Sequence, residues 1–511
     1  MAIAFKNPPA RSIQERAFAP GLIVMGSAIA VAVLAAILNS DLLRQFPYLY
    51  LLPWILALAI LLTIPTVVLY FQGKLAFYDP LVFATWSYFF PAFVVGGLML
   101  SIGWSQPYFL SFIQEAEYNL PYTIVLIMLG FGGLALGYFS PIGSRVGTLL
   151  GNFLPKRDYE VSAMVVPGLF LLLLGILNSA GALVLGVIGY QKGDAIEPYD
   201  GIVFLTTLFW IQGTFLLWFV IFRQRRLYLN SYLIITLLFV ASLAKALLSG
   251  GRAGLMQVFI IVTMAFLLSG RSLDFKKTVM AGAVLTLCLI GGMIYGTTFR
   301  NVKGSESQVS ITKYTENILN TVDEIGKYDL NNSLELGFMG LAERLETLSS
   351  VAVVVSNYEQ LAPYEESYGL DNNIWKDLST FFIPRVLWKE KPMASEPRKY
   401  SDLYFNYGEN SFAITPIGDL IRNYGPIGVP IGMFVFGIVL RLIYRALIES
   451  QPRMIWRSTL YFMLLIFISY EGFFGLLIPL LFKVGITSIV GLSIVGLVAK
   501  AMGYIRTVTP I

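Results

Sequence analysis

The 511-residue chain has no histidine, one cysteine and few charges: 36 Lys and Arg with 31 Asp and Glu make up 13% of it. Each scarcity excludes chemistry. Without histidine, Ser-His-Asp and Cys-His catalysis, HExxH zinc sites and histidine proton relays are unavailable. Cys288 stands alone in an apolar run, so neither an intramolecular disulfide nor a cysteine-based zinc cage can form. No GxxxxGK[ST] loop occurs, which argues against ATP as the energy source. Ordinary soluble domains carry about 25% charged residues, and half that density leaves too little polar surface for a water-soluble fold of this size. Hydrophobic residues supply 56% of the chain and the mean hydropathy is +0.71. The predicted fold class is therefore an all-α polytopic membrane protein, with about 12 transmembrane helices and one large, partly helical extracytoplasmic loop.

Apolar runs of about 17–25 residues mark the spans. Twelve are read: 21–38, 48–71, 80–101, 121–139, 161–190, 201–222, 232–248, 254–270, 278–298, 426–443, 458–474 and 475–498. The last two are nearly fused, and 161–190 also reads as one span plus a short surface helix. The first 20 residues are polar and contain proline, and the run that follows is long enough to span, so no cleavable signal peptide is expected. With the N-terminus inside, cytoplasmic segments hold nineteen Lys and Arg, while the short outer loops hold three: Arg44, Lys192 and Arg252. That bias places both termini in the cytoplasm. The basic residues sit at helix ends and form no stripe on a soluble domain, so no nucleic-acid partner is expected.

The chain divides into an N-terminal bundle of about nine helices (1–298), an extracytoplasmic loop domain (299–411) and about three C-terminal helices (412–511). The loop carries 28 of the 67 charges. Phe338, Leu341, Leu345, Leu348 and Ala352 recur in it at helical spacing and predict an amphipathic helix.

Ionisable residues inside spans are costly and mark candidate sites. Lys245 lies in the seventh span, and Arg252 follows in the turn Ser249-Gly250-Gly251-Arg252. Glycines beside an arginine let backbone N–H groups approach an anion; the alternative is Arg252 snorkelling to lipid headgroups. In the loop, Pro384-Arg385-Val386-Leu387-Trp388-Lys389-Glu390-Lys391-Pro392 sets three cations within seven residues between prolines, with an indole suited to a membrane interface or a sugar face. A solvated basic loop is the plainer reading. Tyr404 to Asn410 is aromatic and amide-rich, a composition that suits carbohydrate, and it contains Glu409. Asp419 and Arg422 stand at i, i+3, where a helix-surface ion pair is the alternative. Arg300 leaves the ninth span, Arg344 sits beside the apolar stripe, and Glu471 with Lys483 reads as a structural pair. No DxD-type acid pair lies on the outer side, so chemistry there is expected to need no metal and no nucleotide sugar.

The order of these features resembles the Wzy-type O-antigen polymerase family. The resemblance rests on the Gly-Arg turn, on PRVLWKEKP (Pro384, Arg385, Leu387, Trp388, Lys391 and Pro392), and on Gly418, Asn423, Tyr424, Gly425 and Gly428 entering a span. It covers about 250 residues from Lys245 onward. Asp419 departs from it, since a glutamate is common near that glycine. The resemblance implies a GT-C-class glycosyltransferase of the bacterial cytoplasmic membrane that polymerises undecaprenyl-pyrophosphate-linked oligosaccharide repeat units at the outer face. No cofactor is implied. The implied partners are lipid-linked donor and acceptor glycans, the lipid bilayer, and a chain-length regulator and flippase. In that reading Arg252, Arg385, Lys389 and Lys391 bind pyrophosphate, Lys245, Trp388, Arg300, Arg344 and Arg422 are further substrate contacts, and Glu409 or Asp419 deprotonates the acceptor hydroxyl. An O-antigen-type ligase is the second reading, weakened by the missing histidine. A lipid-linked glycan transporter is the third, weakened because charge collects in the loop rather than in the spans.

Overall fold

The computed structural model describes residues 46–104, 107–188, 199–224, 228–248, 250, 253–271, 275–304, 311–327, 345–392, 394–408, 411–449, 454–504 and 507–508. Among them, nine helices are long and apolar enough to cross a membrane. In chain order the helices are α1 (Leu52–Phe71), α2 (Pro80–Ser101), α3 (Ala116–Phe139), α4 (Pro141–Phe153), α5 (Val165–Val184), α6 (Asp200–Arg223), α7 (Leu229–Leu248), α8 (Gly254–Leu268) and α9 (Phe275–Lys303). They continue with α10 (Ile311–Lys327), α11 (Leu348–Glu365), α12 (Asn373–Thr380), α13 (Pro397–Phe405), α14 (Thr415–Tyr444), α15 (Ile455–Ile466) and α16 (Phe474–Ala501). A two-residue antiparallel bridge pairs Arg157 with Val508 and Asp158 with Thr507.

This is a helical, polytopic architecture of the kind the apolar runs predict. Eleven of the twelve expected segments fall on helices; the first, 21–38, lies outside the described residues. The fourth is one span, entered through a 3₁₀ turn at Val161–Met164. The last two are separated by a non-helical stretch between Ile466 and Phe474, which leaves α15 only 12 residues long. Irregular backbone at that depth requires burial in protein, and Tyr470 and Phe473 in the stretch are buried.

The tenth segment begins earlier than its apolar run. α14 starts at Thr415 and breaks at Gly425, whose backbone is left-handed in φ (φ 67°, ψ −170°). The next residue, Pro426, has no N–H to continue the ladder. Asp419 and Arg422 therefore ride on a short helix set at an angle to the span that follows.

α14 is held by a seam of glycines. Gly133 and Gly137 on α3 and Gly143 and Gly147 on α4 abut its backbone, Gly130 abuts its Val429 and Ile417 side chains, and Gly151 meets Ala446 just past its end. A Cβ at Gly133 or Gly137 would strike the carbonyl of Pro430 or Phe434, and one at Gly437 would strike that of Leu134. Close backbone approach over small residues is how membrane helices gain contact without a hydrophobic driving force. Replacing Gly137 with valine is expected to cost about 1–3 kcal/mol by overpacking, read as a lower unfolding midpoint in detergent; an unchanged midpoint would show that the seam yields.

The expected stripe from Phe338 to Ala352 takes another form. Phe338, Leu341 and Arg344 lie outside the described residues, Glu346 and Thr347 are non-helical, and α11 begins at Leu348. Ser349 donates its backbone N–H (2.8 Å) and its hydroxyl to the Glu346 carboxylate. Every residue from Leu348 to Val355 is buried, so the first half of α11 is a plug in the bundle core instead of a surface helix. A Cβ on Gly96 of α2 would come 2.6 Å from the Leu345 carbonyl, so the loop backbone enters against that span.

Candidate functional site

At the loop end of the bundle, a cavity of about 460 Å³ opens between the start of α6, the first half of α16, and residues 377–394 of the loop. One wall is apolar and comes from the spans: Ile202, Phe204, Leu205, Leu476, Leu480 and Ile486. The lining also carries three cations, Arg385 and Lys391 from the loop and Lys483 from α16, and a single acid, Asp377 of α12.

The proline-bracketed loop shapes the cationic side by closing on itself. Arg385 donates to the carbonyls of Lys391 (3.1 Å) and Pro392 (3.0 Å), and the Lys391 ammonium donates to Ile383 O (2.9 Å). These bonds fix Arg385 and Lys391 side by side. Burial, reinforced by the neighbouring charges of Lys483 and Arg385, holds Lys391 below the usual lysine range.

Asp377 sits on α12, which lies so close to the start of α16 that a Cβ on Gly475 would come 2.9 Å from the Cα of Ile374. The Ser395 hydroxyl donates to its carboxylate at 2.7 Å. Burial pushes Asp377 up to about 6, with Asp419 adding to the rise and Ser395 and Lys483 opposing it. A carboxylic acid poised there can exchange a proton near neutral pH.

Behind Asp377 lies a buried ionic cluster. Arg422 pairs with Glu365 (2.9 Å) and Asp419 (2.9 Å) and donates to Leu370 O (3.0 Å) and Asn373 Oδ1 (2.6 Å). Asn373 donates to Asp419 (3.1 Å) and to the Ser395 oxygen (2.9 Å), the same hydroxyl that holds Asp377. The backbone N–H of Gly475 caps the other Asp419 oxygen at 3.2 Å, and the Tyr404 hydroxyl donates to Glu365 at 2.9 Å. Burial holds Glu365 above the usual carboxylate range, with Arg422 opposing. The cluster ties α11, α12, α13, α14 and α16 together.

The residues singled out in the sequence therefore separate. Arg385 and Lys391 line the cavity, joined by Lys483, whose sequence reading paired it with Glu471. Trp388 and Lys389 are exposed on the same loop but do not line it. Asp419 and Arg422 do form an ion pair, but a fully buried one behind the cavity in place of the helix-surface pair of the alternative reading. Lys245 lies elsewhere, beside a small void with Ser242 and Gln257 and with its ammonium 5.2 Å from the centre of the Trp210 ring. Arg300 is exposed in the last turn of α9. Arg252, Arg344 and Glu409 lie outside the described residues. Sequence reasoning missed Asp377, Asn373, Ser395 and Glu365. One signal was present: Asn373 and Asp377 stand at i, i+4, which puts an amide and an acid on one helical face.

No curated protein and no solved structure matches the chain. Residues 183–449 match a family described as a domain of unknown function, DUF8712, and the matched stretch runs from the end of α5 through α14, carrying Arg385, Lys391, Asp377 and the ion pairs of Arg422 with Glu365 and Asp419, with Gly475 and Lys483 beyond it. The chain belongs to the DUF8712 family.

Proposed function

We propose that the protein is a glycosyltransferase that polymerises polyprenyl-pyrophosphate-linked oligosaccharide repeat units at the outer face of the bacterial cytoplasmic membrane, with both termini in the cytoplasm. The observation that carries this reading is a cavity of mixed lining, apolar side chains from two spans together with three cations and one acid. A polyprenyl pyrophosphate has the same mixed chemistry. Its chain fits the wall formed by α6 and α16, and its phosphate oxygens accept hydrogen bonds from Arg385, Lys391 and Lys483.

The reaction asks little else of the protein. Asp377 takes the proton of the acceptor sugar hydroxyl as that oxygen attacks the anomeric carbon of the donor. The bond from that carbon to the pyrophosphate oxygen breaks, and the electron pair leaves on the pyrophosphate. The three cations stabilise the charge that develops there, where low dielectric makes each interaction count for more than in water. Asp377 is preferred to Asp419 as the proposed base because it lines the cavity, whereas Asp419 is committed to Arg422 and Asn373.

The deciding experiment is the glycan profile of a deletion strain. Lipid-linked single repeats are expected to accumulate and the polymer ladder to vanish. Long lipid-linked polymer would point to a ligase instead, and a normal ladder on the cell surface would refute the proposal. In the complemented strain, Arg385→Ala is expected to shorten or erase the ladder at unchanged protein level.

A further inference from the structure

A second cavity, of about 260 Å³, lies at the opposite end of the bundle, and nothing in the proposed reaction uses it. Its floor is apolar and buried: Met164, Leu216, Leu460 and Val495. Its rim on α16 is exposed at Ile489 and Ser493. The far wall is the strap of residues 154–159, which presents the exposed Arg157 next to the exposed Lys156.

The strap is held in place by two buried charged groups. Arg457, with no exposed surface, donates to the carbonyls of Ala446 (2.9 Å), Gly151 (3.2 Å), Leu154 (3.3 Å) and Pro155 (3.2 Å). Asp158 accepts the first backbone N–H of α15, that of Ile455. The Tyr159 hydroxyl donates to Gly496 O at 3.0 Å, closing the strap onto α16. These bonds keep open an apolar recess that extra side-chain packing would otherwise fill.

We infer that this recess is a binding site for an anionic phospholipid, with an acyl chain on the floor of Leu216, Leu460 and Val495 and the headgroup phosphate at Arg157. The surroundings of the recess favour that occupant over a protein segment or a neutral lipid. The recess opens on the exposed side of a spanning helix, so acyl chains are what surrounds it. Among the residues that line it, Arg157 is the one exposed charge: Asp158 is buried and accepts from Ile455, and the exposed Glu160 lies just past the strap, outside the lining. It also stands at the end of the bundle where Lys74, Arg145, Arg441 and Arg445 collect, the side on which anionic headgroups attract basic residues.

The test uses the full-length protein in detergent, titrated with phosphatidylglycerol or phosphatidylcholine of identical chains and read by native mass spectrometry. The wild type is expected to retain phosphatidylglycerol about fivefold better, the equivalent of ~1 kcal/mol for one basic side chain at an anionic headgroup. Arg157→Gln should abolish that preference while leaving acyl-dependent retention. Ser493→Trp, which fills the rim, should lower retention of both lipids. Equal retention of the two lipids by the wild type, or an undiminished preference in Arg157→Gln, overturns the assignment. Because these readouts involve no glycan, they stand or fall apart from the reaction proposed at the other end.

Discussion

Arg422→Ala will unfold the loop end of the bundle, at a cost of about 3–5 kcal/mol. Its guanidinium has no exposed surface and neutralises two carboxylates, Asp419 with none and Glu365 with 8% exposed. Breaking a buried pair from one side leaves the other charge without compensation, which costs far more than the pair contributes net. Here two charges would be stranded, together with the Leu370 carbonyl that loses its donor, while Asn373 Oδ1 would keep only Asn423. The measurement is the detergent unfolding midpoint with the yield of folded protein. Arg422→Lys retains the charge but not the fork that reaches both acids, so it should fall between. Lys376→Ala is the control: its pair with Asp371 at 2.7 Å is 42% and 32% exposed, and such pairs contribute less than about 1 kcal/mol. If Arg422→Ala matches that control, the cluster does not hold the loop end.

The pH dependence of that variant has a definite sign. Glu365 already stands above the usual carboxylate range because of burial, and Arg422 is the largest influence opposing the rise. Without Arg422 the folded-state value climbs further above the unfolded one. A carboxyl group raised on folding favours the folded state once protonated, so Arg422→Ala should regain part of its stability as pH falls through the folded value.

How much of this was legible in the sequence follows from what kind of force set each feature. The spans were legible because a 30 Å hydrocarbon core imposes a length of about 20 apolar residues that any scan detects. Arg385 and Lys391 were legible because prolines confine them to one short turn. The break at Gly425 left a weaker trace, Gly-Pro at the head of a span, and its effect is to turn Asp419 and Arg422 away from the cavity into the core. The plug formed by Leu348–Val355 left none. A helix buried all round looks in sequence like an apolar run with serines, and only its fit against α2, α3 and α14 decides that it enters the bundle. Asp377 was hidden for the same reason. The i, i+4 spacing from Asn373 does not by itself set it apart from the half-exposed Asp371; its burial beneath Ser395 and its place near Lys483 are tertiary facts.

Asp377→Asn is expected to reduce polymerisation by about 10²–10⁴-fold, the range over which a positioned general base contributes. The amide is nearly the same shape and can still accept from Ser395, so protein level and fold should hold. The pH profile separates a base from a structural acid. Asp377 works in its ionised form, so activity should rise with pH through about 6 and level off above it. The Ser395 hydroxyl favours the ionised form, so Ser395→Ala should move that limb to higher pH. Stability should move oppositely to activity. The folded value of about 6 exceeds the ordinary aspartate value of 3.8, so an ionised Asp377 opposes folding, and stability grows as pH falls from above 6 toward 3.8. Asparagine carries no such charge, so the variant should be at least as stable as the wild type at neutral pH while being nearly inactive. Near-normal ladders from a folded Asp377→Asn protein would remove Asp377 from the reaction, whereas loss of both activity and stability would make it a member of Arg422's structural cluster. Only the split between the two makes it the group that accepts the proton, and only with that split does the cavity's mixture of one acid, three cations and an apolar wall amount to an active site.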